Sequence, residues 1–287
     1  MNSAAATSEQ SNGRSDEAAV VAQLLERARA AMAQFADADQ ARTDEAVTAL
    51  AWSIYKPEHA LELAQMAVRD TGLGNVEDKV TKNTRKTFGT LRDLSRARSV
   101  GIIEECPELG IVKYAKPVGV VCAVTPSTNP AATPVNKAMM AIKGRNAIII
   151  APSPAGLATT THTVALMRDE LARVGAPRDL VQVLPAPVTK EITNALMRAC
   201  ELIVVTGSQN NVRSAYSSGK PAIGVGAGNV PVIIDDSANL DDAAKKICAS
   251  KTFDNATSCS SENSVIILDS VYDKAITALQ RAGAFLA

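Results

Sequence analysis

The sequence is short of the residues on which much protein chemistry relies. It holds two histidines, His59 and His162, and no two of its five cysteines form a C-x-x-C pair, so no metal centre is expected. Aromatic residues make up 3% of the chain, too few to build base-stacking platforms for a nucleic acid. Neither sign of charge is in excess. Lys plus Arg and Asp plus Glu each number 30, which leaves no field to draw nucleic acid or an anionic membrane. Long hydrophobic runs are also missing: stretches such as Val118–Val124 and Ala147–Ala151 are far too short to cross a bilayer and suit buried strands. Residues 1–17 have neither the basic start nor the apolar run of a secretory signal,. With an odd number of cysteines, that points to free thiols in a reducing cytosol and a cytoplasmic protein. A cysteine that does chemistry here is expected to do so without a histidine partner.

What the chain does have is apolar periodicity. Its 287 residues with 46% hydrophobic content are enough for one large or two modest folded domains. Met1–Asp16, rich in Ser, Ala and Asn, reads as a disordered tail. Helical patterns follow at 17–36, 40–54, 57–71 and 76–98. The first spaces Val20, Val21, Leu24, Leu25, Ala28, Ala31 and Met32 along one face,. That face is expected to pack on its own domain rather than on a partner. Two extended runs, Gly101–Glu105 and Gly110–Ala115, flank Cys106-Pro107-Glu108-Leu109 and predict a hairpin,.

After the hairpin, strands and helices alternate. The strands fall at 118–124, 147–151, 180–184, 201–205, 222–225 and 231–234, and the helices at 133–143, 157–174, 189–199, 209–217 and 239–250. Apolar strands alternating with helices of this length predict an α/β fold with a parallel sheet. Ligands of such sheets lie beyond the carboxyl ends of the strands, which directs attention to two turns. One is Thr125-Pro126-Ser127-Thr128-Asn129-Pro130 and the other is Thr206-Gly207-Ser208-Gln209. The second offers free N–H groups at a helix start, suited to a pyrophosphate but equally usual as capping sequence. Gly224-Val225-Gly226-Ala227-Gly228-Asn229 nearly spells the dinucleotide fingerprint. It ends in Asn and runs into a strand rather than a helix, so as a fingerprint it fails.

Five segments in order resemble the aldehyde dehydrogenase superfamily, and in particular its coenzyme A-acylating branch: TPSTNP at 125–130, NAIIIAPSP at 146–154, Thr206–Ser208, SSGKPAIGVGAGNVPV at 217–232 and KTFDNATSCSSENS at 251–264. The resemblance spans about residues 100–287 and extends loosely into the N-terminal helices. It implies a Rossmann-type cofactor domain over 17–240, with the hairpin at 101–115 used in homo-oligomerisation, and the start of a second α/β catalytic domain at 241–287. It also implies that Cys259 is the nucleophile and that Asn129, whose type would also suit a turn cap, supports the oxyanion. Thr206, Gly207 and Ser208 would line the pyrophosphate of NAD or NADP, and Ala151, Pro152 and Ser153 would face the adenosine ribose. Thr125, Pro126 and Gly226 would complete the cofactor wall. Pro154 stands where many NAD-preferring members carry an acid, so NADP is admitted alongside NAD.

Hydrolytic members carry a glutamate general base where this chain has Val225. Without it, a thioester on Cys259 should outlast water and pass to coenzyme A. The implied partners are therefore a small aldehyde and coenzyme A. The FDNATSCSSENS run resembles sulfoacetaldehyde enzymes, although acetaldehyde-type enzymes share most of it. A sulfonate would want a lysine or arginine near Cys259, expected from sequence beyond this chain, which stops 28 residues after that cysteine. Two alternatives stand beside this reading. One is an acyl-phosphate reductase on the same fold; the other is an inactive truncated subunit that only assembles with a longer homologue.

Overall fold

In a computed structural model, the main chain is described for residues 3–226 and 228–285, with side chains from residue 16 onward. Helix α1 (Ser3–Gln34) reaches back through the stretch expected to be a disordered tail, whose first two residues lie outside the described range. From Ser3 on, that stretch contains no proline to interrupt a helix,. Helices α2 (Gln40–Tyr55), α3 (Pro57–Thr71) and α4 (Val76–Ser95) follow, each started by a local device. Asp39 accepts from the Arg42 N–H at α2, Pro57 opens α3, and Asn75 accepts from the Asp78 N–H at α4,.

Strands β1 (Gly101–Cys106) and β2 (Ile111–Ala115) pair antiparallel as the expected hairpin. The hairpin stands out from the body, with Ile111, Val112 and Tyr114 exposed. A five-stranded parallel sheet forms the centre, from β3 (Val120–Val124), β4 (Ala147–Ala151), β5 (Val181–Val183), β6 (Leu202–Thr206) and β7 (Ala222–Val225) in the order β5-β4-β3-β6-β7. Every residue of β3 and β4 is buried, as expected of parallel strands covered on both faces. The crossovers are α5 (Ala132–Lys143), α6 (Leu157–Arg173), α7 (Lys190–Ala199) and α8 (Gln209–Tyr216). Helices α5 and α6 pack together with α2 laid against both, while α1 packs on α7 and on β4. Val21, Leu24, Leu25, Ala28 and Phe35 of α1 belong to the main core, so its apolar face is satisfied within its own domain.

The chain leaves this sheet earlier than expected. Strand β8 (Pro231–Ile234), assigned from sequence to the cofactor domain, pairs instead in parallel with β9 (Ser264–Ile267). The two are joined through α9 (Leu240–Thr252), and α10 (Tyr272–Arg281) follows. Ala244, Ala278 and Leu279 form a separate small core there. Strand β8 thus sits with β9 and outside the central sheet, because sheet membership depends on hydrogen-bond partners and not on composition. Among the described residues, no helix is long and apolar enough to cross a membrane.

Candidate active site

All strands of the central sheet end on one side, and the turns leaving β3, β4, β6 and β7 meet there. They line a cavity of about 660 Å³ that contains Thr125, Pro126, Asn129, Ala151, Pro152, Ser153, Thr206, Gly207, Ser208, Gly226 and, on its opposite wall, Cys259. Every residue singled out in the sequence therefore reaches the same space. The cavity opens at the topological switch point of the sheet: from β3 the chain builds β4 and β5 to one side and later β6 and β7 to the other. That is where open α/β sheets bind nucleotides.

The walls fit a dinucleotide. Ser208 caps α8, its hydroxyl accepting from the Asn211 N–H at 3.3 Å, which leaves a helix start facing the cavity. The Thr125 hydroxyl is buried and has no hydrogen-bond partner, as expected of a donor and acceptor awaiting a ligand. A Cβ at Gly226 would lie 2.9 Å from the side-chain oxygen of Gln209, so this strand end closes directly on the helix start. Lys137 draws the two central turns together. Its ammonium, buried beneath them, donates to the carbonyls of Val124 at 2.7 Å and Val204 at 2.9 Å. Burial pushes its pKa down to about 7, against a weaker upward pull from Cys122. In the sequence it is a lone lysine on an otherwise apolar helix face between Val135 and Met139, a signal that passes unread without the strands above it.

Cys259 lies on the loop between α9 and β9 and is exposed. The loop begins with Asp254, Asn255 and Ala256 in the left-handed region, at φ of 51°, 52° and 61°, a conformation that stores strain in non-glycine residues. A buried ionic clamp holds it. The carboxylate of Asp254, fully buried, accepts from Lys79 at 3.0 Å, from Lys82, from the Thr257 hydroxyl at 2.6 Å and from the Asn75 N–H at 3.0 Å. The Asp254 N–H donates to Asp78 at 2.7 Å, and the Asn255 amide donates to the Gly74 carbonyl at 3.1 Å. Gly74 has a φ of +73°, and a Cβ there would fall 1.9 Å from the Asp254 carboxylate. Lys79 also donates to the carbonyl of Thr128 at 3.2 Å, tying the turn that carries Asn129 to the loop that carries Cys259. Burial pushes the Asp254 carboxyl up, but the hydrogen bonds from Lys82, Thr257 and Lys79 outweigh it and hold it below the usual carboxylate range. Burial lowers Lys79, with Asp254 opposing.

One further cation was not anticipated. Lys86, on α4 one turn beyond Lys82, is half-buried and lines the cavity. Burial pulls its pKa down, while the charge of the Cys259 thiolate pulls it up. The signal was present as lysines 79, 82 and 86 on the helical period,. Equally informative is what the cavity omits: among its described lining residues there is no aspartate, glutamate or histidine, although Ala227 lies outside the described range. His59 bonds to the Ser53 carbonyl and His162 lies beside Glu62, both away from the cavity. Of the other cysteines, Cys122 and Cys200 are buried, while Cys106 and Cys248 are half-buried and off the cavity. Among the described residues no cluster of metal-binding side chains occurs.

A profile of the aldehyde dehydrogenase family matches residues 3–285. Sulfoacetaldehyde dehydrogenase (acylating) of Cupriavidus necator is 56% identical over 94% of this chain and 55% of its own length. Among solved structures, the acetylating aldehyde dehydrogenase of Geobacillus thermoglucosidasius superposes with a TM-score of 0.88 at 39% identity, over 95% of this chain and 60% of that one. The propionaldehyde dehydrogenase of Rhodopseudomonas palustris, solved with bound CoA and an acylated cysteine, superposes with a TM-score of 0.81 at 30% identity, over 92% of this chain and 60% of that one. The chain thus spans about half the length of the curated relatives it matches.

Proposed function

The chain belongs to the aldehyde dehydrogenase family, and from that premise we propose that it serves the acylating reaction: an aldehyde, NAD(P)+ and coenzyme A become an acyl-CoA and NAD(P)H through a thioester on Cys259. The thiolate of Cys259 adds to the aldehyde carbonyl carbon, and the electron pair of the C=O bond moves to oxygen. Asn129 donates its side-chain amide to that oxyanion, and the backbone N–H of Cys259 supplies a second donor. The nicotinamide cofactor, when bound, accepts the hydride that leaves as the carbonyl reforms. Thr206, Gly207 and Ser208 would hold its pyrophosphate, Ala151, Pro152 and Ser153 would face its adenosine ribose, and Thr125, Pro126 and Gly226 would close the wall, all of them residues of the cavity lining. Pro154 repels no 2′-phosphate, and Lys190 adds a cation to the cavity lining, so NADP is accepted as well as NAD. Coenzyme A thiolate then attacks the thioester carbon and displaces Cys259 as thiolate.

The observation that carries this reading is the missing base. With Val225 in the cavity wall and no carboxylate or histidine among its described lining, no side chain of that lining is a general base suited to activate water against the thioester. A thiol needs less help and takes the acyl group. The likeness to acylating enzymes supports the same conclusion and lends none to the acyl-phosphate or inactive-subunit alternatives. Sulfoacetaldehyde is the substrate that similarity favours. The exposed apolar hairpin of β1 and β2 supports self-association of the protein,.

The test is aldehyde-dependent reduction of NAD(P)+ with and without coenzyme A, using this chain and a version extended by its native downstream sequence. Dependence on coenzyme A, and loss of the signal in Cys259→Ala, uphold the reading. Release of free acid without coenzyme A overturns it.

A further inference from the structure

The cavity holds more positive charge than its cofactor wall requires. Three lysines project from one face of α4, and their assignments differ. Lys79 and Lys82 are buried against Asp254, and Lys79 also spans to Thr128. Lys86 has no ion-pair or hydrogen-bond partner among the described residues, yet it is half-buried on the cavity wall that carries Cys259. A half-buried ammonium that only the charges of Cys259 and Asp254 attract, with no direct partner, gains from a further negative group that meets it. Lys190, the other unclamped lysine of the cavity, stands at the start of α7. That helix follows β5, at the far edge of the sheet beyond β4, on the side of the adenosine ribose rather than of the thiol.

We infer that Lys86 is the residue that recognises the negative group of the substrate, an aldehyde carrying a sulfonate on the carbon next to its carbonyl. The inference rests on the acylating reading and names the side chain responsible for its substrate preference. A sulfonate is a strong acid and stays ionised, so a cation in the cavity offsets the cost of taking its charge out of water and donates a charge-assisted hydrogen bond. In an aldehyde with a sulfonate on the adjacent carbon, the charged oxygens lie three bonds from the carbon that Cys259 attacks. A cation serving it must therefore share the cavity of the nucleophile, as Lys86 does. The flexible four-carbon stem of lysine lets its ammonium follow a compact tetrahedral oxyanion as a point charge. Lys86 and Cys259 line the same cavity, and the pull of Cys259 on Lys86 agrees with that placement. The proposal takes this cation from within the chain, where the sequence reading looked to residues beyond it. No bond is made or broken by Lys86 itself: it binds the anion and leaves carbonyl chemistry to Cys259 and Asn129.

The experiment has two arms. In the first, the chain extended by its native downstream sequence is assayed with sulfoacetaldehyde and with acetaldehyde, as wild type, Lys86→Ala and Lys86→Arg. The expected result is that Lys86→Ala lowers the ratio of kcat/KM for sulfoacetaldehyde over acetaldehyde by about ten- to a hundredfold, mostly through KM, and that Lys86→Arg restores most of it. A ratio that stays constant while both substrates slow together overturns the proposal and assigns Lys86 to the thiol instead. The acylating reading itself falls only if wild type forms no acyl-CoA from either aldehyde. In the second arm, ethanesulfonate, which has no carbonyl, is tested for protection of Cys259 against iodoacetamide in the chain as it stands. Protection in wild type that is lost in Lys86→Ala supports the anion site, independently of turnover. Equal protection in both, or none in wild type, overturns it.

Discussion

At the scale of single residues, the site is defined by a few side chains whose surroundings differ sharply. Cys259 is the one exposed thiol of the described chain, and its reactivity is set by access and neighbouring charge. Cys259→Ala should abolish acyl-CoA formation while leaving thermal unfolding nearly unchanged, read by a coupled assay beside a melting curve. Val225 predicts the opposite kind of change. Val225→Glu puts a carboxylate into a cavity wall that lacks one, and should divert part of the acyl-enzyme to free acid. The partition between acid and acyl-CoA at fixed coenzyme A measures it, and an unchanged partition would count against the missing-base argument.

Lys137 predicts a pH dependence. Burial depresses its pKa to about 7, below the ordinary lysine value of about 10.4 in an unfolded chain. Folding therefore opposes its protonated form. The penalty is fully present below pH 7, declines as pH rises toward the unfolded value, and is absent above it. Lys137→Met should remove this rise in stability between neutral and alkaline pH. At neutral pH it also leaves the Val124 and Val204 carbonyls short of a donor, which costs about 1–3 kcal/mol for each buried group left unpaired. Urea midpoints of both proteins at pH 7 and pH 9 provide the check.

At the scale of elements, the decisive structure is the clamp between α4 and the loop after α9. That loop crosses the left-handed region at three successive non-glycine positions, and such backbone persists only where surrounding contacts over-determine it. Asp254 supplies them, with a carboxylate that pairs with two buried ammoniums and ties α4 to the nucleophile loop. Asp254→Asn leaves those ammoniums without a counterion, which removal of one buried partner makes costly by about 3–5 kcal/mol. The expected outcome is a lower urea midpoint together with easier proteolysis within 253–264. Because its folded pKa is depressed, the contribution of Asp254 is present above the unfolded carboxylate value of about 3.9 and is lost as pH falls through the folded value. Acid should therefore expose this loop to protease, and the same digestion followed below pH 4 tests it.

At the scale of the whole molecule, two apolar surfaces have no cover among the described residues. The hairpin presents Ile111, Val112 and Tyr114, and the parallel pair β8–β9 presents Ile233 and Ile266. A parallel sheet of two strands with an open face is uncommon, because parallel sheets are ordinarily buried on both sides. The chain alone should bind a hydrophobic dye and self-associate, and extension by its native downstream sequence should reduce the dye signal. If the hairpin is the self-association surface, Val112→Lys with Tyr114→Lys should lower the molar mass seen by light scattering without shifting the melting temperature. An unchanged mass would move the interface elsewhere.

The sequence alone determined the order of elements and most of their boundaries, because apolar period and capping residues act over a few neighbours. It also directed attention to the strand-end turns, since a parallel sheet must gather its carboxyl ends on one side whatever the side chains are, while Cys259 and Asn129 were singled out through the family resemblance. What it could not determine depends on pairs far apart in the chain. Strand β8 joins β9 across α9 rather than the sheet before it. Asp254 meets Lys79 and Lys82 more than 170 positions away, and Lys137 reaches the carbonyls of two separate strands. Lys86 differs from its neighbours only in having no such partner. A lysine on a helix carries the same local signal whether it meets a carboxylate, a carbonyl, a substrate or water. Only tertiary packing decides which, because the energy of a charge is set by what surrounds it and not by what precedes it in the chain.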